Sequence, residues 1–309
     1  MTNNHDMELK DLETFVTVVK CGSITCAADV LHVTQPGVSR RIDRLENALG
    51  CTLFERVGNH LLLTKEGKTL LPHAETVLGS VRDLRAAVDA EKGGWTTACI
   101  AMSATLAETP FTDRLKELRD RFPALRQLHI KMVGSAEVSE LVAAGEADVG
   151  FRFFRDKDER LEYVPLGEEP LVVIRAAHSR WFPGEDGGGE PLAPLCLNDI
   201  PWIAFPARKG PSSHITAMLD QWIEETGIRP GLRIDADCLA AQQKLVQADF
   251  GIALQPASSV QEAVERGKLR LVPLPAFRLT LPICAVYRKT APLRDMLQNV
   301  IRLFQKQPE

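Results

Sequence analysis

The sequence predicts an α/β protein in which a small helical module and one long helix precede a larger domain of alternating strands and helices. Three observations lead to this prediction. Two short helical patterns with capping residues follow each other between positions 23 and 50, an apolar repeat of three- and four-residue steps occupies positions 70–88, and strand-like runs alternate with amphipathic segments from position 98 onward. The length of 309 residues allows about two domains.

The small module begins with one helix and continues with a capped pair of helices. The first helix has a single apolar stripe, formed by Leu12, Phe15, Val16 and Val19. This stripe predicts a core helix rather than a binding surface. Ser23 and Thr34 each stand before a helical pattern, where a hydroxyl accepts from N–H groups of the first turn. Pro36 suits the first turn of the last helix, and Gly50 is expected to end that helix.

The helix pair separates into an apolar stripe and a polar face. The stripe consists of Ala27, Ala28, Leu31, Val33, Val38, Ile42, Leu45 and Leu49, and the polar face of Gln35, Ser39, Arg40, Arg41 and Arg44. A recognition helix in the major groove of DNA places its first residues on base edges and its basic residues on phosphates. We expect Gln35 to pair with adenine, Val38 to touch a thymine methyl if the helix tilts, and the arginines to reach phosphates or guanine. Three arginines on an isolated helix would more often be solvated surface, but the capped pair favours DNA binding.

The module resembles the DNA-binding signature of the LysR-type transcriptional regulators. The matching residues are Ser23-Ile24-Thr25, Ala27-Ala28, Leu31, Thr34-Gln35-Pro36, Val38-Ser39-Arg40, Ile42, Leu45-Glu46, Leu53-Phe54-Glu55-Arg56 and Thr64-Lys65-Glu66-Gly67. Two positions depart from the family. Gly37 stands where alanine is usual, which weakens the first turn by roughly 1 kcal/mol if it is exposed to solvent, and Cys26 stands where a polar or basic residue is common.

Two short strands are expected after the helices, over 53–56 and 60–63, with a turn at Val57-Gly58-Asn59. The resemblance identifies this hairpin as a wing that lies on the DNA backbone or minor groove, with Arg56 in it. It implies a winged helix-turn-helix domain over residues 7–64. The residues expected to bind DNA are Ser23, Thr34, Gln35, Pro36, Val38, Ser39, Arg40, Arg41, Arg44 and Arg56.

A linker helix is expected over residues 65–92. Its seam consists of Leu70, Ala74, Val77, Val81, Leu84 and Val88. A stripe of this kind requires a partner, so we expect homodimerisation through this helix, as in the family, with Pro72 tolerated near the first turns. Packing of the stripe onto its own domain is the alternative. Gly93-Gly94 is expected to break the helix.

The remaining residues, 93–309, predict an α/β effector domain. Expected strands cover 98–102, 128–132, 148–153, 171–174, 202–205, 251–254 and 281–287, and expected helices cover 110–122, 135–144, 211–226, 238–248 and 291–305. This alternation predicts parallel sheets. By resemblance, matched at 117–123, 145–149 and 251–256, the domain is two-lobed and periplasmic-binding-protein-like. Lobe I would comprise 93–165 and 272–309, and lobe II 166–271.

Polar residues follow several of the expected strands. Ligands of such folds bind at the carboxyl ends of strands, and helix N-termini there favour anions. The expected effector contacts are Ser103, Thr105, Gly134, Ser135, Arg152, Phe205, Ser212 and Ser213. Together they suggest a small carboxylate or a similar anionic metabolite whose binding changes lobe closure. As the alternative, the serines are only helix caps and Arg152 is an ordinary ion-pair partner.

Composition restricts the remaining possibilities. The chain is 45% hydrophobic and 25% charged with a net charge of −4, which is typical of a folded protein. Residues 1–92 carry 11 basic and 13 acidic side chains, so any positive potential on the DNA module must be local. Seven scattered cysteines without ligand spacing indicate reduced thiols rather than a metal site, with a thiol switch such as Cys196 with Cys238 left open. A polar N-terminus and the lack of a membrane-spanning run predict a cytoplasmic protein.

The sequence contains no HExxH, GxSxG or Walker motif, which would indicate a metalloprotease, a serine hydrolase or a nucleotide-binding enzyme. An enzyme built on the two-lobed domain is therefore a weaker hypothesis than a DNA-binding regulator. A protein that only binds a solute is the other alternative, and it is disfavoured because the predicted DNA-binding module would have no role in it. The expected partners are double-stranded promoter DNA, a small-molecule effector, a second copy of the chain in a dimer or dimer of dimers (homotetramer), and RNA polymerase. Neither a cofactor nor a membrane partner is expected.

Overall fold

The chain forms two units in this computed structural model, Met1–Gly94 with Ala143–Glu146, and Trp95–Val142 with Ala147–Glu309. The structure describes residues 7–57, 60–93, 95–182, 192–206, 214–274, 277–291 and 294–305. The predicted turn residues Gly58 and Asn59, the break at Gly94, and the predicted effector contacts Ser212 and Ser213 lie outside the described residues.

The first unit contains the predicted helices and hairpin. Its elements are α1 (Leu9–Cys21), α2 (Ile24–Val30), α3 (Gln35–Leu49), β1 (Phe54–Val57), β2 (His60–Leu63) and α4 (Lys65–Gly93). The predicted caps are confirmed, because Ser23 Oγ accepts from Cys26 N at 3.2 Å and Thr34 Oγ1 accepts from Gly37 N at 3.3 Å. Gly50 ends α3 in the left-handed region at φ 67°.

Helices α1, α2 and α3 share one apolar core. Its fully buried members are Phe15, Val18, Ala27, Val38, Leu45 and Leu53. The prediction that Leu49 packs in this core is wrong, since Leu49 is the last residue of α3 and is 42% exposed.

The linker helix α4 ends at Gly93, the first residue of the predicted Gly93-Gly94 break. Its first turns belong to the core of the first unit, where Ala74 is buried and Leu70 packs beside it. The later apolar residues of α4 are exposed to solvent instead, since Val77, Leu84 and Val88 are 42%, 65% and 46% exposed.

The second unit has nine strands and seven α-helices in its described part. The strands are β3 (Thr97–Ser103), β4 (Gln127–Val133), β5 (Val149–Phe153), β6 (Leu161–Ala176), β7 (Trp202–Ala204), β8 (Arg233–Asp235), β9 (Ile252–Pro256), β10 (Leu269–Leu271) and β11 (Thr280–Arg288). The helices are α5 (Ala104–Ala107), α6 (Leu115–Arg121), α7 (Ser135–Ala143), α8 (His214–Thr226), α9 (Leu239–Gln247), α10 (Ala257–Glu265) and α11 (Arg294–Gln305).

The prediction of parallel sheets is only partly right. Strands β4, β3 and β5 are parallel neighbours, as are β8, β7 and β9, so the strand–helix–strand connections are confirmed. Strand β6, however, pairs antiparallel with β11, β9 and β10. The sheet is mixed because β11 and β6 lie between the two parallel sets, with β11 antiparallel to β5 and β6 antiparallel to β9.

One predicted helix is divided in two. Residues 110–122 form a 3₁₀ segment, Pro110–Arg114, followed by α6. Thr109 caps the 3₁₀ segment by accepting from Phe111 N at 3.3 Å. The 3₁₀ turn brings Phe111 to the core aromatic rings of Phe151 and Phe304, with ring centroids 5.4 and 4.9 Å away.

Candidate DNA-binding helix and effector site

The exposed part of α3 is its N-terminal half. Thr34, Gln35, Pro36 and Arg40 are exposed, and Ser39 is half-buried. The cap at Thr34 fixes where the helix begins, and Pro36 occupies its first turn without the loss of an intrahelical hydrogen bond. An amide and a guanidinium therefore project from the start of a well-defined helix.

The arginines of α3 differ in their surroundings. Arg44 forms a bidentate pair with the fully buried Asp11 of α1, with Nε to Oδ2 at 2.8 Å and Nη2 to Oδ1 at 2.5 Å. Its Nη1 also lies 3.2 Å from the carboxylate of Glu8. The hydrogen bond to Asp11 raises the pKa of Arg44. Arg41 donates to Thr14 Oγ1 at 3.3 Å. Arg44 thus joins α3 to α1, which sequence reasoning missed.

Val38 does not fit the predicted contact with a thymine methyl. The side chain is fully buried in the core formed by α1, α2 and α3. One turn after the cap, this position faces the neighbouring helices rather than solvent. Val38 therefore supports α3 from within, and it has to be removed from the set of DNA-facing residues.

The hairpin β1–β2 follows the predicted wing. Arg56 is exposed and stands opposite Leu61 in the antiparallel register. Glu46 of α3 holds the start of the hairpin, because its Oε1 accepts from the backbone N–H groups of Leu53 at 2.6 Å and Phe54 at 3.4 Å. This structural role of Glu46 was not predicted.

The first group of predicted effector contacts lies where two parallel strands end. Ser103 ends β3 and stands opposite Val133 in the register, so Gly134 and Ser135 follow at the same edge. Ser103 is buried and caps the short α5 by accepting from Leu106 N at 3.3 Å, whereas Thr105 is half-buried. Ser135 is the first residue of α7 and is nearly buried.

Arg152 lies near the end of β5 within a polar cluster. It is fully buried, forms an ion pair with Asp156 and donates to Ser139 of α7. Ser139 in turn contacts the Tyr163 hydroxyl at 3.1 Å, and burial raises the pKa of Tyr163. The second terminal nitrogen of Arg152, Nη2, has no hydrogen-bond partner among the described residues. The ion pair with Asp156 agrees with the alternative stated for Arg152, an ordinary ion-pair partner, and its role as an effector contact stays a prediction.

Phe205 and Glu108 contact helices α8 and α9, respectively. Phe205 is half-buried after β7, and its carbonyl accepts from Thr216 Oγ1 of α8 at 3.2 Å. Glu108, which sequence reasoning missed, follows α5 and accepts with Oε2 from Ala240 N in the first turn of α9 at 3.0 Å. This hydrogen bond joins the β4–β3–β5 set to the β8–β7–β9 set.

Two kinds of feature are not found among the residues that the structure describes, namely metal-ligand groups and membrane-spanning helices. Among those residues, no group of three or more His, Cys, Asp and Glu side chains could hold a metal ion. No helix in the described ranges combines the length and the apolar character that crossing a bilayer requires.

Family models match both units. Residues 9–68 match the model for bacterial regulatory helix-turn-helix proteins of the lysR family, and residues 96–309 match the model for the LysR substrate binding domain. The chain belongs to the LysR family. This LysR-family chain is 31% identical over 311 residues to YbhD, an uncharacterised HTH-type transcriptional regulator of Escherichia coli K12, covering 96% of this chain and 90% of that protein.

Solved structures show the same fold. A full-length OxyR from Pseudomonas aeruginosa aligns with a TM-score of 0.70 and 21% identity over 98% of this chain and 99% of OxyR. Full-length CbnR in complex with its target DNA aligns with a TM-score of 0.62 and 23% identity over 96% of this chain and 100% of CbnR. As a LysR-type protein, the chain is a DNA-binding transcription regulator with an effector-binding domain, and it is not an enzyme.

Proposed function

We propose that this regulator recognises promoter DNA with the N-terminal half of α3. The observation that carries the proposal is the difference between Arg40, which is exposed, and Arg44, which is paired with Asp11. Gln35 and Arg40 suit a major groove, because glutamine pairs bidentately with adenine and arginine with guanine. Ser23, Thr34, Pro36, Ser39 and Arg41 would support this contact, and Arg56 of the wing would bind phosphate.

An electrophoretic mobility shift tests this proposal on genomic fragments that co-precipitate with the full-length protein. Arg40→Ala should weaken binding by roughly 10- to 100-fold, the effect of losing one base-reading arginine. Arg119→Ala is the matched control, because Arg119 is an exposed arginine on α6 of the other unit. Full affinity of Arg40→Ala for a fragment that wild type selects would contradict the proposal.

We infer that α4 pairs with a second copy of the chain. Val77, Leu84 and Val88 recur at seven- and four-residue steps and are exposed, so a partner helix would remove their apolar surface from water. Leu70 and Ala74, predicted for the same seam, already pack in the core of the first unit. The proposed dimer seam therefore consists of the later positions, with Val81 between them.

We also propose a small carboxylate as the effector, bound between the two lobes. The support comes from Ser103, Thr105, Gly134 and Ser135 at the ends of β3 and β4, and from the N-terminus of α7. Phe205 would line the opposite lobe. Ser139 lies one turn after Ser135 on α7, and the buried Arg152 of β5 donates a hydrogen bond to it. An effector carboxylate would reach Arg152 by taking the place of Asp156, whose side chain is 33% exposed.

Calorimetry with mono-, di- and tricarboxylic acids tests the effector proposal. Asp156→Asn should bind the active acid more tightly than wild type, because a competing negative charge is removed. Arg152→Lys should bind it more weakly, because an ammonium cannot form the bidentate contact of a guanidinium. Arg119→Lys serves as control. Equal affinities in all four proteins would exclude Arg152 and Asp156 from the site.

Lobe closure would connect the effector to DNA. We infer that the hydrogen bond from Ala240 N to Glu108 belongs to one closure state, and that the effector acts through its different affinity for the two states. The proposed division is a DNA-binding domain over 7–64, a linker over 65–92 and an effector domain over 93–309, acting in the cytoplasm where promoter DNA lies.

A further inference from the structure

The backbone of Leu53 connects the proposed recognition helix α3 to the linker helix α4. The N–H of Leu53 donates to Oε1 of Glu46 on α3 at 2.6 Å. The carbonyl oxygen of Leu53 accepts from the backbone N–H of Thr64, the residue before α4, at 3.0 Å. The side chain of Leu53 is fully buried in the core of the first unit. One residue thus joins α3 to the start of α4 through hydrogen bonds on both sides.

Thr64 fixes the first turn of α4 next to this residue. Its Oγ1 accepts from the backbone N–H of Gly67 at 3.0 Å, as the side chain of a helix cap does. The same hydroxyl donates to the carbonyl oxygen of Thr52 at 2.7 Å. The start of α4 is therefore held by two successive carbonyl groups, those of Thr52 and Leu53.

Gly67 lets α4 approach Leu53 more closely than a residue with a side chain could. Gly67 is buried in the first turn of the helix. A Cβ at this position would overlap the carbonyl oxygen of Leu53 and lie 2.8 Å from Cδ2 of Leu63. Non-bonded carbon atoms in contact are about 3.5–4.0 Å apart. A side chain at position 67 would therefore push the first turn of α4 away from Leu53.

A displacement at this junction would be amplified along α4. Leu84, an exposed residue of the proposed dimer seam, lies 17 residues after Gly67. This separation corresponds to about 25 Å along an α-helix. A tilt of about 10° at the first turn, which is within the scatter of helix-packing angles, would move the DNA module relative to the seam by about 4 Å. One base pair of DNA rises by about 3.4 Å, so such a tilt shifts the module by a full base pair.

We propose that Glu46 and Gly67 are positioning residues that set the distance between the two recognition helices of a dimer, and with it the spacing of the half-sites in the operator. Dimeric DNA-binding proteins hold their recognition helices at a fixed separation, and this separation selects the half-site spacing. The inference rests on the proposed roles of α3 in recognition and of α4 in dimerisation. It adds a determinant of specificity that contacts no base.

Binding to a series of operators tests the proposal. Two copies of the half-site from a selected genomic fragment are separated by spacers that differ by one base pair, and the full-length protein is titrated in a mobility shift assay. Wild type should bind best at one spacing and about tenfold more weakly one base pair away, similar to the effect of a mismatched base pair. The ratio of affinities between spacings is the readout, because partial unfolding weakens binding at every spacing by the same factor.

Four variants distinguish positioning from general stability. Glu46→Ala removes the acceptor for the N–H of Leu53 and should lower the ratio to about threefold or less. Glu46→Gln keeps a carbonyl oxygen that can accept this hydrogen bond and should restore the ratio of wild type. Gly67→Ala should move the preferred spacing by at least one base pair. Glu224→Ala is the control and should keep the profile of wild type, because Glu224 is exposed on α8 of the other unit.

A wild-type spacing profile in both Glu46→Ala and Gly67→Ala would overturn the proposal, and so would a wild type that binds all spacings equally. Failure of the proposed function has a different signature. It would appear as full affinity of Arg40→Ala for the operator with the best spacing, whereas the spacing profile is measured on wild type and the variants of Glu46 and Gly67.

Discussion

Arg44 illustrates how one contact between distant residues changes the interpretation of a sequence pattern. The sequence places Arg40, Arg41 and Arg44 on one polar face of a helix, and this face is correctly predicted as polar. Arg44 nevertheless pairs with Asp11, which precedes it by 33 residues. No local pattern indicates such a pair, so the sequence could not separate an arginine that joins helices from one that is open to DNA.

Replacing Arg44 should lower the thermal stability of the first unit, because Arg44 is paired with Asp11 rather than open to DNA. In Arg44→Ala the buried carboxylate of Asp11 loses its bidentate partner, so the thermal midpoint of the first unit should fall by several degrees. Arg40→Ala is the matched comparison and should unfold like wild type, because Arg40 is exposed. Differential scanning calorimetry measures both. An unchanged midpoint for Arg44→Ala would show that the ion pair is dispensable.

Asp158 gives a pH-dependent contribution to stability. Hydrogen bonds from the Arg160 guanidinium, at 2.7 Å to Oδ2, lower the pKa of Asp158 below its ordinary value. Because the folded pKa lies below the unfolded one, near 4, this stability is present above pH 4 and is lost as pH falls through the folded pKa.

Urea unfolding of Asp158→Asn should therefore give a lower free energy of unfolding than wild type at pH 7, and the difference should shrink under acid conditions. Asp120→Asn, at an exposed carboxylate, should show little difference at either pH. A difference for Asp158→Asn that grows as pH falls would contradict the assignment.

At the scale of elements, the sequence predicts those helices and strands that local apolar periodicity and capping residues determine. Helices α1, α2, α3 and α4, and the parallel strands β3, β4 and β5, follow from apolar spacing within one segment. Strands β8 and β10 have only three residues each, and they are defined by pairing with β7 and β6. Helix α10 begins directly after Pro256 and was missed, although Val260, Ala263 and Val264 give it an apolar face.

The exposed apolar residues of α4 lead to a prediction about dimerisation. Leu84→Glu combined with Val88→Glu should shift the full-length protein toward the monomer, because charged side chains would be buried in the proposed helix pair. Leu232→Glu is the control, since Leu232 is similarly exposed in the other unit. Analytical ultracentrifugation measures the distribution. An unchanged dimer in the double variant would assign self-association to another surface.

At the scale of the molecule, the two candidate sites differ in how far the sequence could define them. The candidate DNA-binding helix is one continuous segment, so its caps, polar face and family resemblance could be recognised together. The burial of Val38 and the ion pair of Arg44 with Asp11 are visible only in the three-dimensional structure. The candidate effector site combines ends of separate strands and helices. Its most informative contacts, Arg152 with Asp156 and Glu108 with α9, depend on the three-dimensional arrangement and carry no local signal.

The most direct test of DNA recognition by α3 is a competition assay with every single-base variant of a selected operator. Wild type should prefer adenine at one or more positions by about 1–3 kcal/mol, the discrimination expected for a bidentate glutamine. Gln35→Ala should lose the preference at those positions and keep the others. If Gln35→Ala retains the base preferences of wild type at every position, the N-terminal half of α3 does not read DNA as described.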